Sequence, residues 1–219
     1  MILFQDTATG ANGTDIGTRG YAPGGGGFTS IQGNEYELTW GGAGVWRGRY
    51  NTVIADDGFH LWSKVRRPSV AAISHWTGIM FWYREGATVE FCYLYMLRMT
   101  DATVRISFHR YDGATQDPAI LLSSLALAAG AQIRLGVRMV SGVATAYWAQ
   151  PDGSLEVDLG VLTISVDWRD GNHRMIGIGN NQAGSAQGSK WDDITVEDFS
   201  TNWTPPDPPI GLTAWGDCK

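Results

Sequence analysis

Trp191-Asp192-Asp193-Ile194-Thr195-Val196-Glu197-Asp198-Phe199 reads as a strand, and Ile2-Leu3-Phe4-Gln5-Asp6 near the other end reads as its counterpart. Short strand patterns and glycine turns fill the interval between them. Asp-Gly pairs at 57–58, 112–113, 152–153 and 170–171 each stand between candidate strands. That dipeptide tolerates positive φ and suits tight hairpins. The bracket predicts an all-β, antiparallel two-sheet sandwich of jelly-roll type, formed as one domain over residues 1–199. Its first and last strands should lie side by side.

Working inward, the alternation names the faces. Ile133, Leu135, Val137 and Met139 share one side of a strand, with Arg134 and Arg138 on the other. Val104, Ile106 and Phe108 alternate with Arg105, Ser107 and His109. The stretch from Thr88 to Leu97 is apolar on both sides, with Val89, Phe91, Tyr93 and Tyr95 against Cys92, Leu94 and Met96. This pattern predicts a central strand covered on both faces, or one that faces a partner. In Gly78-Ile79-Met80-Phe81-Trp82-Tyr83-Arg84 the same rule puts Met80, Trp82 and Arg84 opposite Ile79, Phe81 and Tyr83. No amphipathic helix is evident. The glycine-rich stretch 10–48 could not sustain one, and at most a helical turn is expected near Asp167 to Gly171.

Composition removes several classes. The chain has 219 residues, a net charge of −6 and an isoelectric point near 5.1. A nucleic-acid binder would need a basic face to neutralise phosphates, so no nucleic-acid partner is expected. Lysines number three against thirteen arginines, and charged residues make up only 17%. The surface should therefore be rich in small polar side chains. The longest apolar run, near Ala119 to Ala129, is too short to cross a bilayer. Met1-Ile2-Leu3-Phe4 lacks the features of a secretory leader. The expectation is a chain made in the cytoplasm, with no membrane partner. Cys92 lies in an apolar strand pattern and Cys218 in the tail, so a bond between them is not expected.

From Ser200 the texture changes. Pro205, Pro206, Pro208 and Pro209 cannot join a sheet and favour an extended polyproline conformation. Leu212 and Trp215 follow them. Residues 200–219 read as a Pro-rich arm, either folded back on its own surface or docked on a neighbouring subunit with Leu212 and Trp215 as anchors.

Phe4-Gln5-Asp6, then Gly10-Ala11-Asn12-Gly13-Thr14-Asp15-Ile16-Gly17-Thr18-Arg19, resembles the opening of concanavalin A-like lectin/glucanase domains. Ile176-Gly177-Ile178-Gly179 and Gly188-Ser189-Lys190-Trp191-Asp192-Asp193-Ile194-Thr195-Val196 look like that family's closing strands. The resemblance spans roughly residues 2–199 and implies the jelly-roll fold. It also implies an outward-facing role, because such domains are common in bacteriophage virion proteins and bacterial extracellular proteins. Glucanases of this fold carry a Glu-x-Asp-x-x-Glu strand. Glu156-Val157-Asp158 has its first spacing, but Val161 stands where the third carboxylate would be. A solvated strand face is the better reading, and no catalytic residue is assigned.

Other candidates are weighed in the same way. Asp6 and Asp193 could together hold Ca²⁺, against the alternative that they accept local hydrogen bonds and anchor loops. Asp192 and Asp193 are adjacent and should point to opposite faces. The four histidines show no metal spacing, and no cofactor is expected. Trp76, Trp82, Tyr83, Tyr147 and Trp148 are expected to cluster in the middle strands, with Trp82, Arg84 and Trp148 as the glycan or partner surface. The leading expectation is a non-enzymatic bacteriophage virion protein: a capsid decoration, head fibre or tail-associated protein, binding other virion proteins and forming a homo-oligomer. A carbohydrate-binding module for a polysaccharide is the alternative, and a glycan hydrolase or lyase the third.

Overall fold

The computed structural model describes residues 2–19, 21–24, 28–39, 44–50, 58–67, 76–84, 90–98, 103–111, 120–121, 125–163, 175–182 and 189–198. Two antiparallel sheets face each other. Sheet A runs in the order β14 (Val157–Thr163), β13 (Val143–Ala149), β12 (Gln132–Val140), β6 (Phe59–Arg66), β16 (Lys190–Asp198), β4 (Glu35–Thr39) and β3 (Phe28–Gln32). Strand β1 (Ile2–Asp6) also joins β16, with Asp6 opposite Ile194 and Phe4 opposite Val196. The predicted pairing of first and last strands is therefore present. Sheet B runs β10 (Ile120–Leu121), β9 (Thr103–Tyr111), β8 (Glu90–Arg98), β7 (Trp76–Arg84), β15 (Met175–Gln182), β5 (Gly44–Tyr50) and β2 (Tyr21–Gly24). A further short strand, β11 (Leu125–Ala126), pairs with β9. One 3₁₀ turn spans Ile16–Arg19.

The core lies between the sheets and follows the alternation. Phe59, Leu61 and Val65 of β6 meet Ile79 and Phe81 of β7 and Cys92 and Leu94 of β8. Phe59 and Phe81 touch across the gap with ring centres 6.0 Å apart. Among the described residues, Trp191 is the largest fully buried side chain. It projects from the last strand of sheet A, and its Nε1–H donates to the Gly78 carbonyl of sheet B at 3.0 Å. Gly78 must be glycine because a Cβ there would stand 2.2 Å from the Leu94 carbonyl oxygen and 2.5 Å from Tyr95 Cβ. The sequence suggests a break between 69–76 and 78–84. Instead β7 runs unbroken through Gly78, which is a close-approach residue.

Of the strand expected over 119–127, the described parts β10 and β11 both pair with β9. One described segment differs from its expected form. The strand expected over 154–163 begins at Val157. Its first residues form a tight turn in which Gly153, at φ 87°, donates to Gln150. The expected strands at 51–54 and 69–75, the helical turn near Asp167, and the arm at 200–219 lie outside the described residues.

Candidate functional site

Sheet B carries a second apolar layer on the side turned away from the core. In β8, Cys92, Leu94 and Met96 enter the core, while Phe91, Tyr93 and Tyr95 form a separate cluster with Met80. Trp76, Leu97 and Tyr111 pack around that cluster. The two-sided apolar pattern of this strand is thus satisfied by two different layers, and β8 is central, between β7 and β9.

The rings form a continuous array. Tyr93 and Tyr95 stack at 4.9 Å with 14° between planes. His109 lies 5.3 Å from Tyr93 and 5.4 Å from Tyr95, nearly parallel to both. Trp76 stands 5.3 Å from Tyr95 at one end, and Phe91 stands 5.2 Å from Tyr111 at the other. Register explains the neighbours: Tyr93 pairs with His109, and Tyr95 with Ser107. The Tyr95 hydroxyl and His109 Nε2 share a hydrogen bond of 3.0 Å. Burial raises the Tyr93 phenol well above its ordinary pKa, with Tyr95 adding to the shift, so it stays protonated. Ser107 is fully buried beside Tyr95, and its Oγ has no hydrogen-bond partner. Arg105 Nε, two residues along the same strand, also has none. Phe91, Tyr93, Tyr95 and His109 are buried and turned toward one another, and Ser107 is fully buried, whereas Trp76 and Tyr111 at the margins are partly exposed. A partly exposed ring of this kind can stack on the C–H face of a pyranose.

The outer face of sheet A is different. His60, Trp62, Lys64 and Arg66 alternate with the core residues of β6. The Tyr147 ring covers Gly136, whose absent side chain makes the space: a Cβ there would meet the ring at 2.1 Å. Tyr147 and His60 Nε2 are hydrogen bonded at 2.6 Å, and His60 Nδ1 lies 3.1 Å from Glu197. Arg138 sits over the Tyr147 ring and pairs with both Glu156 and Asp158. Arg134 stacks 3.9 Å above Trp62. Burial and the two arginines outweigh Glu197 and lower the His60 pKa to about 4.

The expected site residues fall in several places. Trp82 and Arg84 lie on β7, but their side chains are outside the described residues. Trp148 does not join them. It is opposite Leu135 on sheet A and packs against the core, because the alternation of β13 sends Tyr147, not Trp148, outward. Trp76 and Tyr147 are likewise on different sheets, so the expected single aromatic cluster is split in two. Glu156 and Asp158 do share one side, as the spacing predicts, and both are tied to Arg138.

Asp6 is a buried anchor. It accepts from Arg19 Nη2 at 2.6 Å, the Tyr36 hydroxyl at 2.6 Å and the Ala8 amide at 3.0 Å. Asp193 pairs with Lys64. It adopts φ 50° inside a β-bulge between Asp192 and Thr195. The bulge overturns the expectation that Asp192 and Asp193 face opposite ways, since Asp192 sits opposite Lys64 in register while Asp193 bonds the same lysine. Asp6 and Asp193 thus each have a cation of the chain as partner, Arg19 and Lys64. No group of three or more metal-ligating side chains occurs among the described residues. Asp192 is pushed up to about 6 by burial and by Asp193.

The strand order and the packing of the two sheets can be compared with solved structures. The CBM2 module of the evolved Dit of Lactobacillus casei BL23 phage J-1 superposes over 93% of this chain and 97% of its own, with TM-score 0.60 and 11% identity. The fold is the concanavalin A-like jelly roll. A concanavalin A-like neighbour with bound Ca²⁺ and Man2, the VIP36 exoplasmic/lumenal domain, matches over 85% of this chain and 84% of its own (TM-score 0.59, 9% identity). A protein from work on endo-acting O-glycanases of the human gut microbiota matches over 90% and 98% (TM-score 0.60, 9% identity). No family model matches the sequence, and no curated protein matches it either. Identities this low establish the concanavalin A-like fold alone.

The sequence marked the Phe91, Tyr93 and Tyr95 side of β8 as covered or facing a partner, and Trp76 as one of a clustered set of aromatics, without joining them to His109. The array's signal was present in the parity of Phe91, Tyr93, Tyr95, Ser107 and His109, but those rings read equally well as core.

Proposed function

We propose that this chain is a non-catalytic carbohydrate-binding module carried on a bacteriophage particle, with the partly exposed margins of the outer aromatic layer of sheet B, Trp76 and Tyr111, as its sugar-stacking surface. The carrying observation is a second aromatic layer outside the core, buried at Tyr93, Tyr95 and His109 and partly exposed at Trp76 and Tyr111. These rings lie outside the core of the sandwich, so closing the two sheets does not account for them. A neutral polysaccharide suits these margins, which present an indole and a phenol ring. Glu156 and Asp158, the pair with glucanase-like spacing, are committed to Arg138, which favours binding over hydrolysis. The phage setting is supported by the similarity to a phage Dit module over nearly the whole length of both chains.

A glycan array probed with the full chain tests the reading, followed by calorimetry on any glycan retained. Trp76→Ala should weaken binding about ten-fold, the scale of one stacked ring. If the array retains no glycan, or Trp76→Ala binds as tightly as the wild type, the proposal fails. A second reading has the chain act in the virion through protein contacts alone, with other virion proteins or further copies as partners. Particle binding with no glycan binding would select it.

A further inference from the structure

The outer face of sheet A has one row of residues that crosses six strands in continuous register. Ile2 pairs with Glu197, Glu197 with His60, His60 with Arg138, Arg138 with Thr145, and Thr145 with Val161. Strand β16 ends one residue beyond this row, at Asp198, so residues 199–219 set out from this end of the sheet. The same end carries exposed aliphatics. Val161 is 57% exposed, and Val140 and Val143, paired at the β12–β13 turn, are exposed as well. The alternation places all three on the outer face of sheet A, at one corner.

We propose that residues 199–219 fold back in cis across this end of sheet A and seat Ile210, Leu212 or Trp215 on the corner made by Val140, Val143 and Val161. The reach fits. Three strand spacings separate β16 from β13, about 14 Å. The stretch from Thr204 to Pro209 spans about 19 Å as polyproline, at about 3.1 Å per residue. Proline stiffening lowers the entropy lost when the segment is held extended. The corner is poorly suited to the other obvious occupant, a second copy pairing edge to edge. Strand β14 is irregular at its bulge beside Ala146 and Tyr147 and presents the exposed charge of Asp158, two features that blunt a strand edge.

The test uses the full chain with a photo-crosslinking amino acid (p-benzoylphenylalanine) at Val161, and a control with the same probe at Leu155. Leu155 is 72% exposed and lies beyond the opposite end of β14. The proposal expects crosslinks within one chain from position 161 to peptides of 199–219, at least five-fold more than from position 155. Crosslinks only between chains would overturn docking in cis. Equal yields from both positions would mean an arm with no seat, and no crosslink from 161 to the arm would leave the corner to another occupant; either result refutes the proposal. Val143→Lys should cut the yield from position 161 in the same direction.

Discussion

Acidification should act on this fold through His60. Its ring is held by Tyr147 on one side and Glu197 on the other, with Arg138 and Arg134 nearby. Burial and those cations lower its pKa from 6.5 to about 4. The unfolded chain takes up a proton near 6.5 and the folded chain near 4. Between those values the unfolded state binds more protons, so stability falls as pH falls. The contribution is complete above 6.5 and gone below 4. At about 1.4 kcal/mol per pKa unit the ceiling is about 3 kcal/mol. Asp192 works in the opposite sense. Its folded pKa is raised from 3.8 to about 6, so the folded state binds the extra proton in that window and stability rises on acidification. The two slopes overlap between about pH 4 and 6 and offset each other in the wild type. Urea unfolding of wild type and His60→Gln at a series of pH values from 7 to 4 separates them. The stability difference, wild type minus variant, should shrink by up to about 3 kcal/mol across that range. Asp192→Asn should give a difference of opposite slope. A difference independent of pH for His60→Gln would refute the reasoning, because it would mean that the imidazole titrates alike in both states.

Gly78→Ala should prevent folding or cost more than about 3 kcal/mol, since the added carbon meets backbone and Cβ atoms that cannot turn aside; a urea midpoint within error of wild type would contradict this. Asp6→Asn keeps the shape but leaves Arg19 without its carboxylate and weakens the Tyr36 bond. A loss of about 2 kcal/mol is expected by urea unfolding at neutral pH.

The sheet architecture was legible because strand parity is a local property. Ile133 to Met139, Val104 to Phe108 and the two-sided Phe91 to Met96 all face as their spacing demands. Parity also shows where the reading fell short: Tyr147 and Trp148 are neighbours, and choosing which one turns outward needs the register with Leu135 and Gly136. The bulge at Asp193 leaves no trace in composition, since aspartate enters the left-handed region more readily than most residues. The His60–Glu197 contact joins residues 137 apart in the chain, and only the strand order brings them together. The strand through Gly78 was obscured because glycine marks both turns and places where another chain segment presses close.

The position of β16 has a kinetic consequence. It is inserted between β6 and the β4–β1 edge, and it carries the indole bonded to Gly78. Until about residue 198 has left the ribosome, β1, β3 and β4 have no link to the rest of their sheet. Those three strands must wait in a nascent chain apart from the rest of their sheet, and closure then requires contacts of very long sequence separation, which form slowly. The aggregation hazard of this protein therefore belongs to its synthesis more than to its finished state. Chaperone supply during synthesis should raise soluble yield more than any change to the folded surface.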